Sequence, residues 1–302
     1  MTDRVGAGRY APSPTGELHL GNLRTALLAW LFARWTGRRF LLRIEDLDAG
    51  RVRPGLAEQQ VADLIALGLD FDGEPVVQSE RSSAYAAALA VIADRTYECF
   101  CTRRDIAKAS SAPHGAVALY PGTCRGLTDQ QRVERRRTRT PALRLRADGA
   151  TQTVHDVLHG AVTARVDDFV VRRNDGVASY NLAVVVDDAE SGVDQVVRGV
   201  DLLPSAVNQA YLARLLGLSA PTYAHVPLAV NAQGRRLAKR DGAVTLAALA
   251  AEGFSPADVL GRIAESLGWP APRSPVDLLP LFDPGRLPRD PWVVDAALES
   301  HP

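Results

Sequence analysis

Between Val5 and Ile44 the chain runs strand, glycine- and proline-rich turn, helix, strand, an opening that few folds share. A short strand is expected over Val5–Tyr10, a helix over Gly21–Thr36, and a second strand over the apolar run ending in Leu41-Leu42-Arg43-Ile44. Two strands joined through a helix can lie side by side only in parallel, so the expected class is α/β with a doubly wound parallel sheet. Leu56–Leu67 and Ser82–Asp94 read as further helices, and the cysteine-bearing stretch Tyr97–Cys124 breaks the pattern and reads as an insertion. Val162–Arg172 and Val177–Val186, around the turn Asn174-Asp175-Gly176, predict a hairpin, and Ser205–Leu216 predicts a helix. After Thr245 helical patterns recur at Pro256–Leu267, which Ser255 can cap, and at Trp292–Leu298.

At 302 residues and 46% hydrophobic content a sizeable core is available, for two linked domains rather than one. The 35 Lys and Arg balance 35 Asp and Glu, so no global positive field announces a nucleic acid, and any contact with one must be local. The first residues hold no apolar signal core, and no apolar run nears the ~20 residues that span a bilayer, so a cytoplasmic protein without membrane partners is expected. Cys99, Cys101 and Cys124 are odd in number, which favours thiols or a metal over a disulfide framework.

Neither the G-x-G-x-x-G nor the G-x-x-x-x-G-K-[ST] phosphate fingerprint occurs. The candidate in their place is Ala11-Pro12-Ser13-Pro14-Thr15-Gly16, followed by His19-Leu20-Gly21-Asn22 at the mouth of a helix. There the helix amides, the positive end of the dipole and the side chains of His19 and Asn22 can converge on phosphate, while Gly21 admits a flat base. Alone, the same residues describe a turn and a helix cap with a surface histidine.

Arg9-Tyr10-Ala11-Pro12-Ser13-Pro14-Thr15-Gly16 with His19-Leu20-Gly21-Asn22 resembles the HIGH region of glutamyl-tRNA synthetases, in class I of the aminoacyl-tRNA synthetases. Matching blocks follow in order: Arg43 to Asp48, Tyr180 to Asp188, Val197 to Leu203, and Tyr223 to Leu228. Arg236-Leu237-Ala238-Lys239-Arg240 resembles the KMSKS loop, departing from it at Arg236 and Ala238 but keeping the second lysine as Lys239. The resemblance covers roughly residues 5 to 245 and implies a Rossmann-like catalytic domain over 1–96 and 141–245, a zinc-binding insertion over 97–140, and a small helical C-terminal appendage over 246–302 without a full anticodon-binding domain.

It also implies roles. His19, Asn22 and Lys239 are the expected catalytic residues, and with Gly21 they form the ATP site; a cation such as Lys239 stabilises charge that grows on the phosphates. Glutamate brings two carboxylates and an ammonium. The expected pocket is Arg9, Tyr10, Ala11, Pro12, Ser13, Glu45, Tyr180 and Arg198, with the forked arginines for carboxylates and Glu45 for the ammonium. Magnesium is expected on the phosphates. In shortened members of the family a structural zinc takes three thiolates and a tyrosine oxygen, which falls here on Cys99, Cys101, Tyr120 and Cys124; by donor chemistry alone His114 is the rival fourth ligand.

Only the stretch from Lys239 to Pro302 follows the second motif, and this shortness points to the branch that attaches glutamate to queuosine at the wobble position of tRNA(Asp). The expected partners are that tRNA, L-glutamate and ATP, acting on a monomer. Charging of the 3′ end of tRNA(Glu) and a non-catalytic adenylate- or tRNA-binding paralogue stay open as alternatives. The arginines from Arg132 to Arg139, with Arg144 and Arg146, suit phosphates or a solvated helix face, the latter preferred.

Overall fold

The computed structural model describes residues 6–102, 104–106, 120–237 and 244–294. The elements are β1 (Ala7–Tyr10), α1 (Leu20–Trp35), β2 (Arg39–Ile44), α2 (Leu56–Ala66), β3 (Val76–Val77), α3 (Ser82–Val91), β4 (Thr96–Cys99), α4 (Asp129–Arg136), β5 (Ala142–Leu145), β6 (Thr151–Asp156) and β7 (Gly160–Arg165). They continue with β8 (Val170–Arg172), α5 (Tyr180–Glu190), β9 (Gln195–Gly199), α6 (Leu203–Leu215), β10 (Thr222–Val226), β11 (Ala229–Val230), α7 (Leu246–Ala251), α8 (Pro256–Glu265) and β12 (Trp292–Val293). No helix among the described residues is long and apolar enough to cross a membrane.

The sheet is parallel at its centre. β1, β2 and β3 run in that order, as do β9, β10 and β6, with β7 antiparallel at the far edge. The halves meet where Ala7 bridges Val193, with Ala7 N–H donating to Gly192 O at 3.2 Å and Asp194 N–H to Ala7 O at 3.0 Å. From β1 the chain winds outward through β2 and β3; β9 and β10 lie on the other side. The seam between β1 and β9 is thus a point where strand order reverses, and such a point leaves a crevice at the carboxyl ends of the strands.

α1 is buried almost all round: Leu20, Leu23, Leu27, Leu28, Leu31 and Phe32 are no more than 2% exposed. Its second cover is the C-terminal region, whose Val259, Leu260, Ile263, Leu278 and Phe282 join the same cluster. Phe282 meets Phe32 edge-on at 4.9 Å. Arg24, 2% exposed, donates to Pro227 O at 2.9 Å and Ser266 Oγ at 3.1 Å. Residues after Thr245 therefore share the core of the first helix instead of hanging from it. The cap foreseen at Ser255 is present, its Oγ accepting from Asp258 N–H at 3.2 Å.

Two expectations fail. Val177–Val186 is not a strand: the turn forms, with Gly176 at φ 89°, but Ser179 then caps α5 by accepting from Leu182 N–H at 3.4 Å. Leu182 to Val186 are buried without a break, and a valine run covered on every side carries neither period, so β-branching suggested the wrong element. The hairpin lies upstream, β6 against β7, and Val162–Arg172 divides between β7 and β8 in separate sheets. Trp292-Val293, expected in a helix, pairs in parallel with Ala229-Val230, while residues 295–298 lie outside the described ones. β4, β5 and β8 make a small antiparallel sheet that carries Cys99.

Candidate active site

A cavity of about 660 Å³ opens at the carboxyl ends of β1, β2 and β9. It is lined by every residue expected of the glutamate pocket, Arg9, Tyr10, Ala11, Pro12, Ser13, Glu45, Tyr180 and Arg198, and by His19, Gly21 and Asn22 of the expected ATP site. Arg236 also lines it, and its Nη1 donates to Asp201 Oδ2. Lys239 lies outside the described residues, as does His114.

The His19-x-Gly21-Asn22 motif is a helix cap and cavity wall at once. His19 Nδ1 accepts from Asn22 N–H at 3.2 Å, and Asn22 Oδ1 accepts from His19 N–H at 3.2 Å, a reciprocal cap of α1. With Nδ1 accepting, the proton of the neutral ring is assigned to Nε2, which becomes a donor. A Cβ on Gly21 would lie 2.9 Å from Ala229 Cβ and 3.1 Å from the His19 ring, so glycine lets α1 pass β11 without displacing the imidazole.

The charges beneath the cavity are arranged around Asp188, which sequence reasoning gave no role. Arg43 Nη1 donates to its Oδ1 at 2.5 Å and Arg9 Nε to the same atom at 3.2 Å, while Arg43 Nη2 reaches Glu45 Oε1 at 3.2 Å. All are buried or nearly so. Burial would raise the Asp188 carboxyl, but the guanidiniums of Arg43 and Arg9 outweigh it and hold the group below the usual aspartate range. At Glu45 burial wins over Arg43 and Arg9, and the carboxyl is pushed up. Asp187 beside it is fully buried and accepts from Arg81 Nε at 2.6 Å, Gln78 Nε2 at 2.8 Å and the Tyr85 hydroxyl at 2.9 Å. Two adjacent acids closing an apolar run were the available signal, since buried carboxylates require cationic partners.

Arg198 is 5% exposed, yet its hydrogen-bond partners are neutral: His225 Nε2 at 3.0 Å, Gln209 Oε1 at 2.9 Å, the Tyr180 hydroxyl at 3.3 Å and Leu202 O at 3.3 Å. Among the described residues it has no ion pair. Gln60, on α2, was also missed; its Nε2 donates to Ser13 O at 3.1 Å and Gly16 O at 2.6 Å and holds the loop in place.

The cysteines form a second site that does not line the cavity. Cys101 Sγ is 3.6 Å from Cys124 Sγ, the Tyr120 hydroxyl is 3.4 Å from Cys99 Sγ and 3.7 Å from Cys101 Sγ, and the three sulfurs lie within 4.8 Å of one another. A tetrahedron with metal–sulfur bonds of about 2.3 Å has edges of about 3.8 Å, so the four atoms fit a zinc-sized centre. Burial pushes the Cys101 thiol up to about 11. Cys124 stays below its ordinary value despite burial, because its sulfur accepts from Phe100 N–H at 3.4 Å and from its neighbours. Arg144 donates to Cys99 Sγ at 3.2 Å and lies over the Tyr120 ring at 3.9 Å. It is therefore a buried support of the cluster and not a phosphate contact. On α4 and at its C-terminal cap, Arg132 and Arg137 pair with Asp129 and Glu134, and Arg136 pairs with Glu98, as a solvated helix face does.

A largely parallel sheet with the capped mouth of a helix and a charged cavity at its seam defines a class, and comparison agrees. The chain belongs to the class I tRNA synthetases of the E and Q group, whose catalytic-domain family matches residues 7–274. Within that class it belongs with the glutamyl-Q tRNA(Asp) synthetases: it is 62% identical over 292 residues to the one of Nocardia farcinica, across 96% of this chain and 93% of that protein. The one of Cutibacterium acnes is 53% identical over 279 residues, covering 91% of this chain and 80% of its own. The crystal structure of glutamate-tRNA synthetase from Elizabethkingia anophelis superposes with a TM-score of 0.80 at 28% identity, over 98% of this chain and 69% of that one.

Proposed function

We propose that this chain uses ATP to activate L-glutamate as glutamyl-adenylate and transfers the glutamyl group to the queuosine base at the wobble position of tRNA(Asp). The observation that carries the reading is the meeting of Arg9, Glu45, Tyr180 and Arg198 in one cavity beside the mouth of α1. That cavity has room for one more anion and one more cation: Arg198 is buried among neutral acceptors, and at Glu45 burial pushes the carboxyl up although Arg43 and Arg9 pull it down. An α-amino dicarboxylate supplies both. The names of the relatives of similar length support the acceptor.

Arg9 and Arg198 each take a carboxylate, Tyr180 donates its hydroxyl and Glu45 takes the ammonium. An α-carboxylate oxygen attacks the α-phosphorus of ATP, and pyrophosphate departs with the bond's electron pair. The growing charge is assigned to His19, the amide end of α1 and Arg236 at the cavity wall, with Lys239 as a further cation. Magnesium, when bound to the phosphates, supplies further charge neutralisation. A hydroxyl of queuosine then attacks the activated carbonyl and AMP leaves, so no protein nucleophile is needed. Cys99, Cys101, Cys124 and Tyr120 would hold zinc in a closed shell, fixing the segment after β4. The division into a catalytic domain over 1–96 and 141–245 with an insertion over 97–140 belongs to the same reading.

The test is transfer of radiolabelled glutamate to purified tRNA(Asp) with and without queuosine, and to tRNA(Glu). Label on queuosine-containing tRNA(Asp) alone is expected. Label on tRNA(Glu) would replace this reading with 3′-end charging, and label on neither, without pyrophosphate exchange, would end it.

A further inference from the structure

Arg198 is held from behind by a fully buried histidine. His225, 0% exposed, accepts from Arg198 Nε at 3.0 Å through its own Nε2, which puts the imidazole proton on Nδ1, 2.6 Å from Asp156 Oδ2. Asp156 is pinned in turn, accepting from the backbone N–H groups of His225, Leu158 and His159 at 3.1, 2.8 and 3.0 Å. The hydrogen-bond direction is therefore set along the whole line: His225 donates to Asp156, Arg198 donates to His225, and Arg198 Nη1 donates to the Tyr180 oxygen at 3.3 Å. With its oxygen so engaged, the Tyr180 hydroxyl has its proton left to offer to the cavity.

We propose that His225, fixed in its Nδ1–H form by Asp156, is a positioning residue that makes Arg198 and Tyr180 a donor-only carboxylate clamp and so selects glutamate over glutamine. The proposal rests on the glutamate-activating reading above. At the side-chain end of the substrate a carboxylate brings the negative charge that Arg198 lacks and two oxygens for the two donors, whereas the glutamine amide is neutral, accepts through a single oxygen and leaves its NH₂ facing a site that offers only donors. The imidazole also separates two charges. Were Asp156 in direct contact with Arg198, the pair would be neutral and a substrate carboxylate would have to compete with it; a neutral acceptor in between holds the guanidinium in place and leaves its charge for the ligand.

The experiment is glutamate-dependent pyrophosphate exchange, with tRNA present, alongside thermal protection by glutamate, by glutamine and by ATP. His225→Leu removes the acceptor and should raise the KM for glutamate about tenfold or more, the size of one hydrogen bond to a charged group, with the KM for ATP moving less than about twofold. Discrimination against glutamine should fall with it. His225→Gln, whose amide oxygen can accept from Arg198, should recover most of the loss.

Asp156→Asn gives a second reading that survives if the leucine variant does not fold. An amide facing Nδ1 as a donor drives the imidazole proton to Nε2, where it meets Arg198 Nε–H head-on. Asp156→Asn should therefore impair glutamate use in the His225 protein and do much less in the His225→Gln background, which has no tautomer to lose. Equal and additive effects in both backgrounds, a parallel shift in the KM for ATP, or an unchanged glutamate-to-glutamine ratio would overturn the proposal. No response of the unaltered chain to glutamate would overturn the parent reading itself, and is told apart by that control.

Discussion

The cavity and the cysteine cluster are both sites of buried polar atoms, but they are held together in opposite ways. The cavity draws on residues as far apart as Arg9 and Arg198, brought together by adjacent parallel strands, and its charges are largely answered within the protein, as where Arg9 and Arg43 share Asp188. The cluster draws on one segment, Cys99 to Cys124, and its four donor atoms converge on one point, with Arg144 and Arg135 reaching the sulfurs of Cys99 and Cys124. One site is preorganised by the fold; the other needs its ligand to be worth its burial. Empty of ligands, the first should keep its shape and the second should not.

Stripping the metal is the strongest way to break that contrast. Structural zinc sites hold on the order of 10 kcal/mol of apparent binding free energy at neutral pH. On the zinc reading proposed above, chelation, or Cys124→Ser, should lower the metal content from one zinc per chain to none and expose the amides of β4 and its neighbours to hydrogen exchange. Thermal protection by ATP should remain. Loss of nucleotide binding together with the metal would mean that the two sites are one cooperative unit.

Asp188→Ala attacks the cavity instead. It leaves two buried guanidiniums without their shared carboxylate and should cost about 3–5 kcal/mol in urea unfolding, with zinc content unchanged in the protein that remains folded. A loss below about 1 kcal/mol would show that Glu45 and Asp187 take over the pairing.

Glu45→Gln is smaller and separates binding from folding. The variant should lose about tenfold or more in glutamate KM, through the hydrogen bond to the substrate ammonium. Stability should hold or rise, since burial disfavours the Glu45 charge in the empty protein. A stability loss equal to that of Asp188→Ala would place Glu45 among the structural charges.

The smallest effect is on pH. His225 is kept neutral by burial, against the pull of Asp156, so its native pKa is lowered. The stability this represents is complete above the ordinary histidine value of about 6.5 and declines as acid is added toward the lowered native one. Asp188, also depressed, adds a second decline below about 4, through its native value. A urea midpoint flat from pH 7 to pH 5 would contradict the first of these.

The same contrast explains what could be read in the sequence. Glycine, proline and histidine at fixed spacing mark the loop before α1 because a tight turn and a helix mouth each demand particular residues, and the cysteines announce themselves by type. Arg43 and Gln60 carry no such mark, and Asp188 only the weaker one of an acid closing an apolar run. Their importance comes from what lies across the sheet, as Arg43 and Asp188 meet only once β2 and α5 have packed. α5 itself was misread because burial on every side erases the amphipathic period, and β12 because a two-residue strand exists only through its partner β11.

Arg24 has a practical bearing on how the protein can be cut down. Its guanidinium, with its pKa lowered to about 10 by burial, joins the second turn of α1 to the Pro227 carbonyl, to Ser266 and to the Trp292 ring 5.8 Å away. A minimal catalytic fragment ending soon after β11 would strip away two of those three anchors and uncover the apolar flank of the helix that presents His19, Gly21 and Asn22. Such a fragment should aggregate where the full chain does not, and whoever trims this enzyme for crystallisation or display should cut at neither Phe254 nor Pro270.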